Sequence, residues 1–230
     1  MSLLSQTDIK IVLFAVPDIT ASRYPLLTLH FSATHTQRAG FMKKRSQPIR
    51  KLPQHWPSHL RYITVSHHHS SVTPSILAHI KAPLNEKGVN SKPAGRPKVV
   101  IKGIRNTSHP ANGQFGLFAA QKIAPRTHIL DYIGEIHCDE RPDSDYDLSL
   151  CRLPDGISIG IDASAMGNEA RFVNDYRGIS DRPNAIFLEG STPSAEMTIA
   201  IWSSSEEIKK GQEILVSYGK SWWQWRTNIE

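Results

Sequence analysis

Three residues with chemistry to offer, Arg171, Asn174 and Asp175, stand around two apolar ones, Phe172 and Val173, in the stretch G-N-E-A-R-F-V-N-D at Gly167–Asp175. A surface loop would accommodate the polar side chains but not the apolar pair. A core strand would accommodate the apolar pair and leave a guanidinium and an amide without partners, at about 1–3 kcal/mol for each lost bond. The third possibility is a ligand-facing turn, whose polar atoms are completed by something that is not protein.

The elements around that turn read as short strands. Val99–Ile101 is one, Gly113–Ala119 is a glycine turn running into another, and Ile129–Ile136 is a third, interrupted by Gly134. Ser158–Asp162, Ala185–Leu188, Thr198–Trp202 and Glu213–Ser217 continue the series, separated by Gly, Pro, Asn and Asp clusters. That spacing predicts a β-rich domain. Helix is expected only as one or two turns over Ala165–Val173 and again over Ser221–Thr227. Residues 1–98, with eight histidines and scattered Ser, Thr and Pro, show no sustained helical or strand period. Within them L-P-Q-H-W-P-S-H-L-R-Y-I, Leu52–Ile63, stands out, because Trp56, Leu60, Tyr62 and Ile63 could dock an ordered flap on the body. Ser91–Pro97 reads as linker.

Charge divides the chain in the same place. Residues 1–100 hold 14 Lys and Arg against 3 Asp and Glu, whereas residues 101–230 hold 13 against 18. A basic arm on an acidic body suggests a solvated tail, with Lys43-Lys44-Arg45 and Arg50-Lys51 as an import signal or a weak contact to nucleic acid phosphates. His67-His68-His69 reads as a polar run rather than a metal site. Cys138 and Cys151 are the only cysteines, so a zinc site built of cysteines is excluded from this chain alone. The longest apolar run, Ile11–Pro17, falls well short of the roughly 20 residues that span a bilayer, and no membrane partner is expected.

Four motifs now stand in one order: G-Q-F-G-L-F-A (Gly113–Ala119), Y-I-G-E (Tyr132–Glu135), G-N-E-A-R-F-V-N-D, and E-I-L-V-S-Y-G (Glu213–Gly219). D-S-D-Y-D-L-S-L (Asp143–Leu150) lies between the second and third. The ordered set resembles the SET domain of protein lysine methyltransferases over residues 98–226, and its wording is also similar to a group of fungal stand-alone SET proteins. The resemblance implies a β-rich fold of several small sheets with a C-terminal pseudoknot, in which the R-F-x-N segment lies beneath the strand leading to the final tyrosine. It implies S-adenosylmethionine as cofactor, held by Gln114, Phe115 and Gly116 of the turn, by Arg171, Asn174 and the backbone at Asp175, and by Tyr218. Tyr218 and Tyr146 would be the catalytic tyrosines, with Tyr146 and Val216 lining the lysine channel. The chain organisation expected is a basic low-complexity region over 1–97, with the flap at 52–63, followed by the SET domain over 98–226 with a Trp-rich closing segment.

Departures from the family pattern fall at chemically informative places. Gln114 stands where the turn usually has its first glycine, with Gly113 one place early. Asn174-Asp175 replaces the usual Asn-His pair. Val216 stands where the family has Phe or Tyr, which points to di- or trimethylation. The cysteine segment that follows many such domains is replaced by Trp222, Trp223 and Trp225, of which Trp223 is the expected cofactor contact. The acidic run Asp139, Glu140, Asp143, Asp145 and Asp147 would form a negative rim that steers a basic substrate. The function expected is methylation of lysine in a basic protein, a histone first and a non-histone protein second, with the nucleus as its place and the cytoplasm as the alternative. The competing expectation is a catalytically silent SET fold that binds a peptide or protein.

Overall fold

Gly134 decides how the strands are shared out. A Cβ at this position would collide with the backbone carbonyl of Asp162, so only glycine lets the two segments pass this closely. The run expected as one interrupted strand over Ile129–Ile136 is in fact two strands in two sheets, His128–Asp131 and Glu135–His137, with the chain changing sheets across Gly134. This is the computed structural model of the chain, and it describes residues 11–12, 52–81, 95–192 and 194–219, all in one compact unit. Among the described residues the strands form five small sheets.

The first sheet is antiparallel, with Met197–Ser203 between Ala185–Ser191 and His128–Asp131. Its central strand runs T-I-A-I through Thr198–Ile201, all buried, as a strand covered on both faces should be. The second sheet orders Ile11–Val12, Asp147–Arg152, Ser158–Asp162, Glu135–His137 and His67–His68 side by side. Asp147–Arg152 was not expected as a strand, because its acidic lead-in masks the alternation that buries Leu148 and Leu150. Val99–Gly103 pairs antiparallel with Phe115–Ala119, and two parallel pairs, Arg61–Tyr62 with Met166–Gly167 and Asn174–Asp175 with Leu215–Val216, complete the set. The one or two helical turns expected over Ala165–Val173 take the form of a single 3₁₀ turn, Glu169–Phe172, capped by the Asn168 side chain at the Ala170 N–H.

Residues 52–81 carry regular structure that the sequence reading did not find there. Thr73 caps the helix Pro74–Ile80 by accepting from the Ile76 N–H, and Ile76 and Ile80, one turn apart, are buried. Trp56 and Leu60 join them in one hydrophobic cluster with Ile101, Leu117, Ile129, Leu130 and Ile161. The triple histidine is partly strand: His67 and His68 pair with Glu135 and Ile136, and the His69 ring bonds to Ser71.

Candidate functional site

The parallel pairing of Asn174–Asp175 with Leu215–Val216 brings the two most informative motifs into one place. Tyr176 N–H donates to Val216 O at 3.0 Å and extends that pairing. Asn184 clamps the second segment, donating from Nδ2 to Glu213 O at 2.8 Å and accepting the Leu215 N–H at Oδ1 at 2.9 Å. Past the pairing, Tyr218 is buried and folds back on the first segment. Its hydroxyl donates to Val173 O at 2.7 Å, and its N–H donates to Asp175 Oδ2, also at 2.7 Å. The Asp175 carboxylate also takes the Arg177 N–H at 2.9 Å and the Arg177 guanidinium at 3.0 Å. That carboxylate therefore acts inside the chain, holding the turn that carries Tyr218. Val216, directly across from Asp175, is fully buried.

The glycine turn lies against this crossing. Gly113 takes the left-handed conformation, φ +84°, with open space where a Cβ would be. Gly116 does the opposite job: a Cβ there would strike the Glu213 carboxylate. The Gln114 N–H and C=O are both spent within the turn, on Ala111 O at 3.0 Å and the Ile104 N–H at 2.8 Å. Phe115 is partly exposed, and its carbonyl lies 3.3 Å from Asn174 Nδ2. The same Nδ2 donates to Glu213 Oε1 at 2.8 Å, and His109 Nε2 lies 3.1 Å from Glu213 Oε2. Sequence reasoning missed His109 and the side chain of Glu213. The two are 104 residues apart, so no spacing could have announced the pair.

Two further tyrosines, Tyr132 and Tyr146, lie near enough to Tyr218 to interact with it electrostatically. The Tyr132 hydroxyl, in the Y-I-G-E motif, donates to Tyr146 O at 2.8 Å. Arg171 is buried, its Nε donates to Ala163 O at 2.9 Å, and its guanidinium carbon lies 3.8 Å from the centre of the Tyr146 ring. Burial pushes the Tyr218 hydroxyl far above its ordinary range, and the charge of Asp175 together with Tyr146 pushes it further. Burial likewise raises Tyr132 well above the ordinary value. Both hydroxyls keep their protons near neutral pH, so Tyr218 offers an oxygen whose hydrogen is already given to Val173.

Of the acidic run, Asp139 and Asp147 are engaged internally and Glu140 and Asp143 are exposed. Arg141 reaches Glu135 at 2.8 Å, Asp162 at 3.0 Å and Asp139 at 3.3 Å. His137 Nε2 bonds to Asp147 at 2.8 Å beneath Gly160. Burial lowers the His137 pKa, but the hydrogen bond and charge of Asp147 outweigh it, and the net shift is upward. A row of edge-to-face rings, Tyr62–Trp56–Phe172–Phe115, at centroid spacings of 5.0, 5.6 and 5.9 Å, runs from the Leu52–Ile63 segment to the glycine turn. Trp222, Trp223 and Trp225 lie outside the described residues.

Residues 114–219 match the family model described as the SET domain. Among solved structures, ATXR5 in complex with a mono-methylated histone H3.1 superposes with a TM-score of 0.52 at 18% identity, over 70% of this chain and 81% of that one. The SET domain of ATXR5 in complex with a di-methylated histone H3 gives 0.44 at 21% identity, over 54% of this chain and 58% of that one. An apo ctPRC2 carrying a substituted Ezh2 gives 0.43 at 22% identity, over 57% of this chain and 16% of that one.

Proposed function

We propose, from the premise that residues 114–219 form a SET domain, that this chain transfers a methyl group from S-adenosylmethionine to lysine side chains of a basic protein, a histone before any other, in the nucleus. The observation that carries the reading is the crossing of Asn174–Asp175 with Leu215–Val216, which sets the Tyr218 hydroxyl against Val173 O and the Asn174 amide against the Phe115 turn.

The turn suits the amino-acid end of the cofactor on its own chemistry. Gly116, having no Cβ, lets the turn close on the Glu213 carboxylate, and the Asn174 amide oxygen has no hydrogen-bond partner among the described residues. Phe115 adds an exposed ring beside it. When bound, the cofactor supplies a methyl group made electrophilic by its sulfonium, so the chain's own work is positioning and the exclusion of water. Tyr218, its proton committed to Val173 O, presents lone pairs that can accept weak C–H···O contacts. It is held protonated by burial, and so it orients rather than abstracts a proton. The lysine has to arrive uncharged, against an ordinary pKa of about 10.4, and the apolar surroundings of Tyr146, Tyr132 and Val216 penalise its ammonium form. Val216 leaves more room than an aromatic residue would, which favours more than one methyl transfer. The exposed Glu140 and Asp143 provide part of a rim for a basic substrate.

The test is transfer of labelled methyl from S-adenosylmethionine into core histones and a basic-protein extract. Tyr218→Phe, which removes the hydroxyl, should lower the rate by about 100-fold, and Asn174→Ala should abolish labelling through lost cofactor binding. Label retained by both variants would sink the proposed roles. No label and no cofactor binding by the wild type would leave a SET fold that binds a partner without chemistry.

A further inference from the structure

We propose that His109 and Glu213 form a positioning pair that sets the Asn174 amide and supplies the counter-charge for the α-ammonium group of S-adenosylmethionine, an inference that rests on the cofactor reading above. The His109 side chain is only 7% exposed. Its Nδ1 accepts the Ala111 N–H at 3.0 Å, so the hydrogen of the ring sits on Nε2 and points at Glu213 Oε2, 3.1 Å away. The other carboxylate oxygen, Oε1, accepts from Asn174 Nδ2 at 2.8 Å.

These bonds leave the Asn174 amide one orientation. Its nitrogen faces two acceptors, the Glu213 carboxylate and the Phe115 carbonyl. A flipped amide would set Oδ1 against both of those oxygens, which repel it. Oδ1 is therefore directed away from them, as an acceptor for a donor that is not protein. Directly behind stands the Glu213 charge, its side chain 10% exposed and in ion-pair range of no Lys or Arg among the described residues. A carboxylate buried without a full counter-cation is costly by itself and favours the arrival of a cation. The Gly116 turn comes so close to this carboxylate that a methyl group would displace it. Asn184 fixes the Glu213 backbone from the other side, so the carboxylate cannot drift with its strand. An ammonium accepted by Asn174 Oδ1 and attracted by Glu213 completes the set.

Calorimetric titration of the full chain separates this role from a purely structural one by comparing two ligands. S-adenosylmethionine carries the ammonium; 5′-methylthioadenosine keeps the adenosine and lacks the amino-acid end. Glu213→Gln should weaken S-adenosylmethionine about tenfold or more, as loss of a nearby buried opposite charge does, and leave 5′-methylthioadenosine within about twofold. His109→Gln, which keeps a donor near Nε2, should stay within about twofold for both ligands, whereas His109→Phe should lose about fivefold for S-adenosylmethionine alone. Thermal melts of each variant confirm that it is folded. Equal losses for the two ligands, or an unchanged S-adenosylmethionine affinity in Glu213→Gln, would overturn the pairing. A wild type that binds 5′-methylthioadenosine and S-adenosylmethionine equally well would overturn it too. A wild type that binds neither would defeat the cofactor reading itself, a result distinguishable because it appears before any variant is made.

Discussion

At the scale of single residues, Arg171 shows how a buried charge is accounted for. Its sequence context suggests a ligand contact, and its surroundings show two protein partners, the Ala163 carbonyl and the face of Tyr146. A guanidinium over a ring at 3.8 Å uses its planarity, which lysine lacks. Arg171→Lys keeps the charge and loses the stack, so the Tyr146 ring should loosen. We expect kcat to fall about tenfold while the Kd for S-adenosylmethionine, measured by calorimetry, stays within about twofold. A tenfold rise in Kd with unchanged kcat would instead make Arg171 a direct holder of the cofactor. Residue-scale reading of the sequence could single out Asn174 and Tyr218 because their motifs are compact. It could not see that Asp175 closes on the Tyr218 N–H, since that bond depends on a parallel pairing between segments some forty residues apart. His109 was invisible for the same reason: one histidine among eleven, with meaning only through Glu213.

At the scale of elements, the strands best read from sequence were those whose apolar runs are bounded by turn residues, such as Ser158–Asp162 and Met197–Ser203. Asp147–Arg152 was hidden by its acidic lead-in, and the helix Pro74–Ile80 by its length of seven residues, too short for a helical period to emerge. Glycines mark where elements press together. Gly134→Ala would set a methyl group against the Asp162 backbone, which cannot move aside as a side chain can. The ordinary cost of such overpacking is about 1–3 kcal/mol, read as a lower urea midpoint. Gly113→Ala meets no neighbour, and its cost should come only from the positive φ, about 1 kcal/mol. If Gly113→Ala proved the more damaging of the two, the close passage at Gly134 would not be what separates the sheets. The pairs around Gly160 add a pH dependence. His137 has a raised pKa in the fold, so its contribution is complete below its unfolded value near 6.5 and disappears as pH rises through the folded value. Asp162 is the reverse case: burial raises its pKa, but Ser144, the Ser164 N–H and Arg141 outweigh this and lower it. Its contribution is present above the unfolded value near 3.8 and is lost on acidification. The urea midpoint should therefore be higher at pH 6 than at pH 8.5, and His137→Gln should flatten that difference. A midpoint that rises from pH 6 to pH 8.5 would refute the assignment.

At the scale of the whole molecule, charge and packing divide the chain at different places. The excess of Lys and Arg runs to about residue 100, whereas among the described residues the hydrophobic cluster begins with Trp56 and Leu60 and includes Ile76 and Ile80. A binding test that removes everything before the glycine turn would thus confuse two effects, lost contacts and a broken core. We place the informative cut after Lys51. Residues 1–51 hold 8 Lys and Arg against 2 Asp, and their removal costs the described body only the two-residue edge strand Ile11–Val12. If the basic region contacts nucleic acid through phosphates, the full chain should bind duplex DNA with an affinity that falls steeply as salt rises. Deletion of 1–51 should flatten that slope while leaving the melting temperature within a few degrees. Deletion of 1–81 should abolish cooperative melting, because it removes Trp56, Leu60, Ile76 and Ile80 from the shared core. DNA binding that survives the shorter deletion with its salt slope intact would move the contact onto the body. That outcome would be hard to reconcile with residues 101–230, where acidic side chains outnumber basic ones by 18 to 13. The same acidic excess explains why a basic protein, rather than nucleic acid, is the partner expected at the tyrosine cluster: the arm and the body favour ligands of opposite charge.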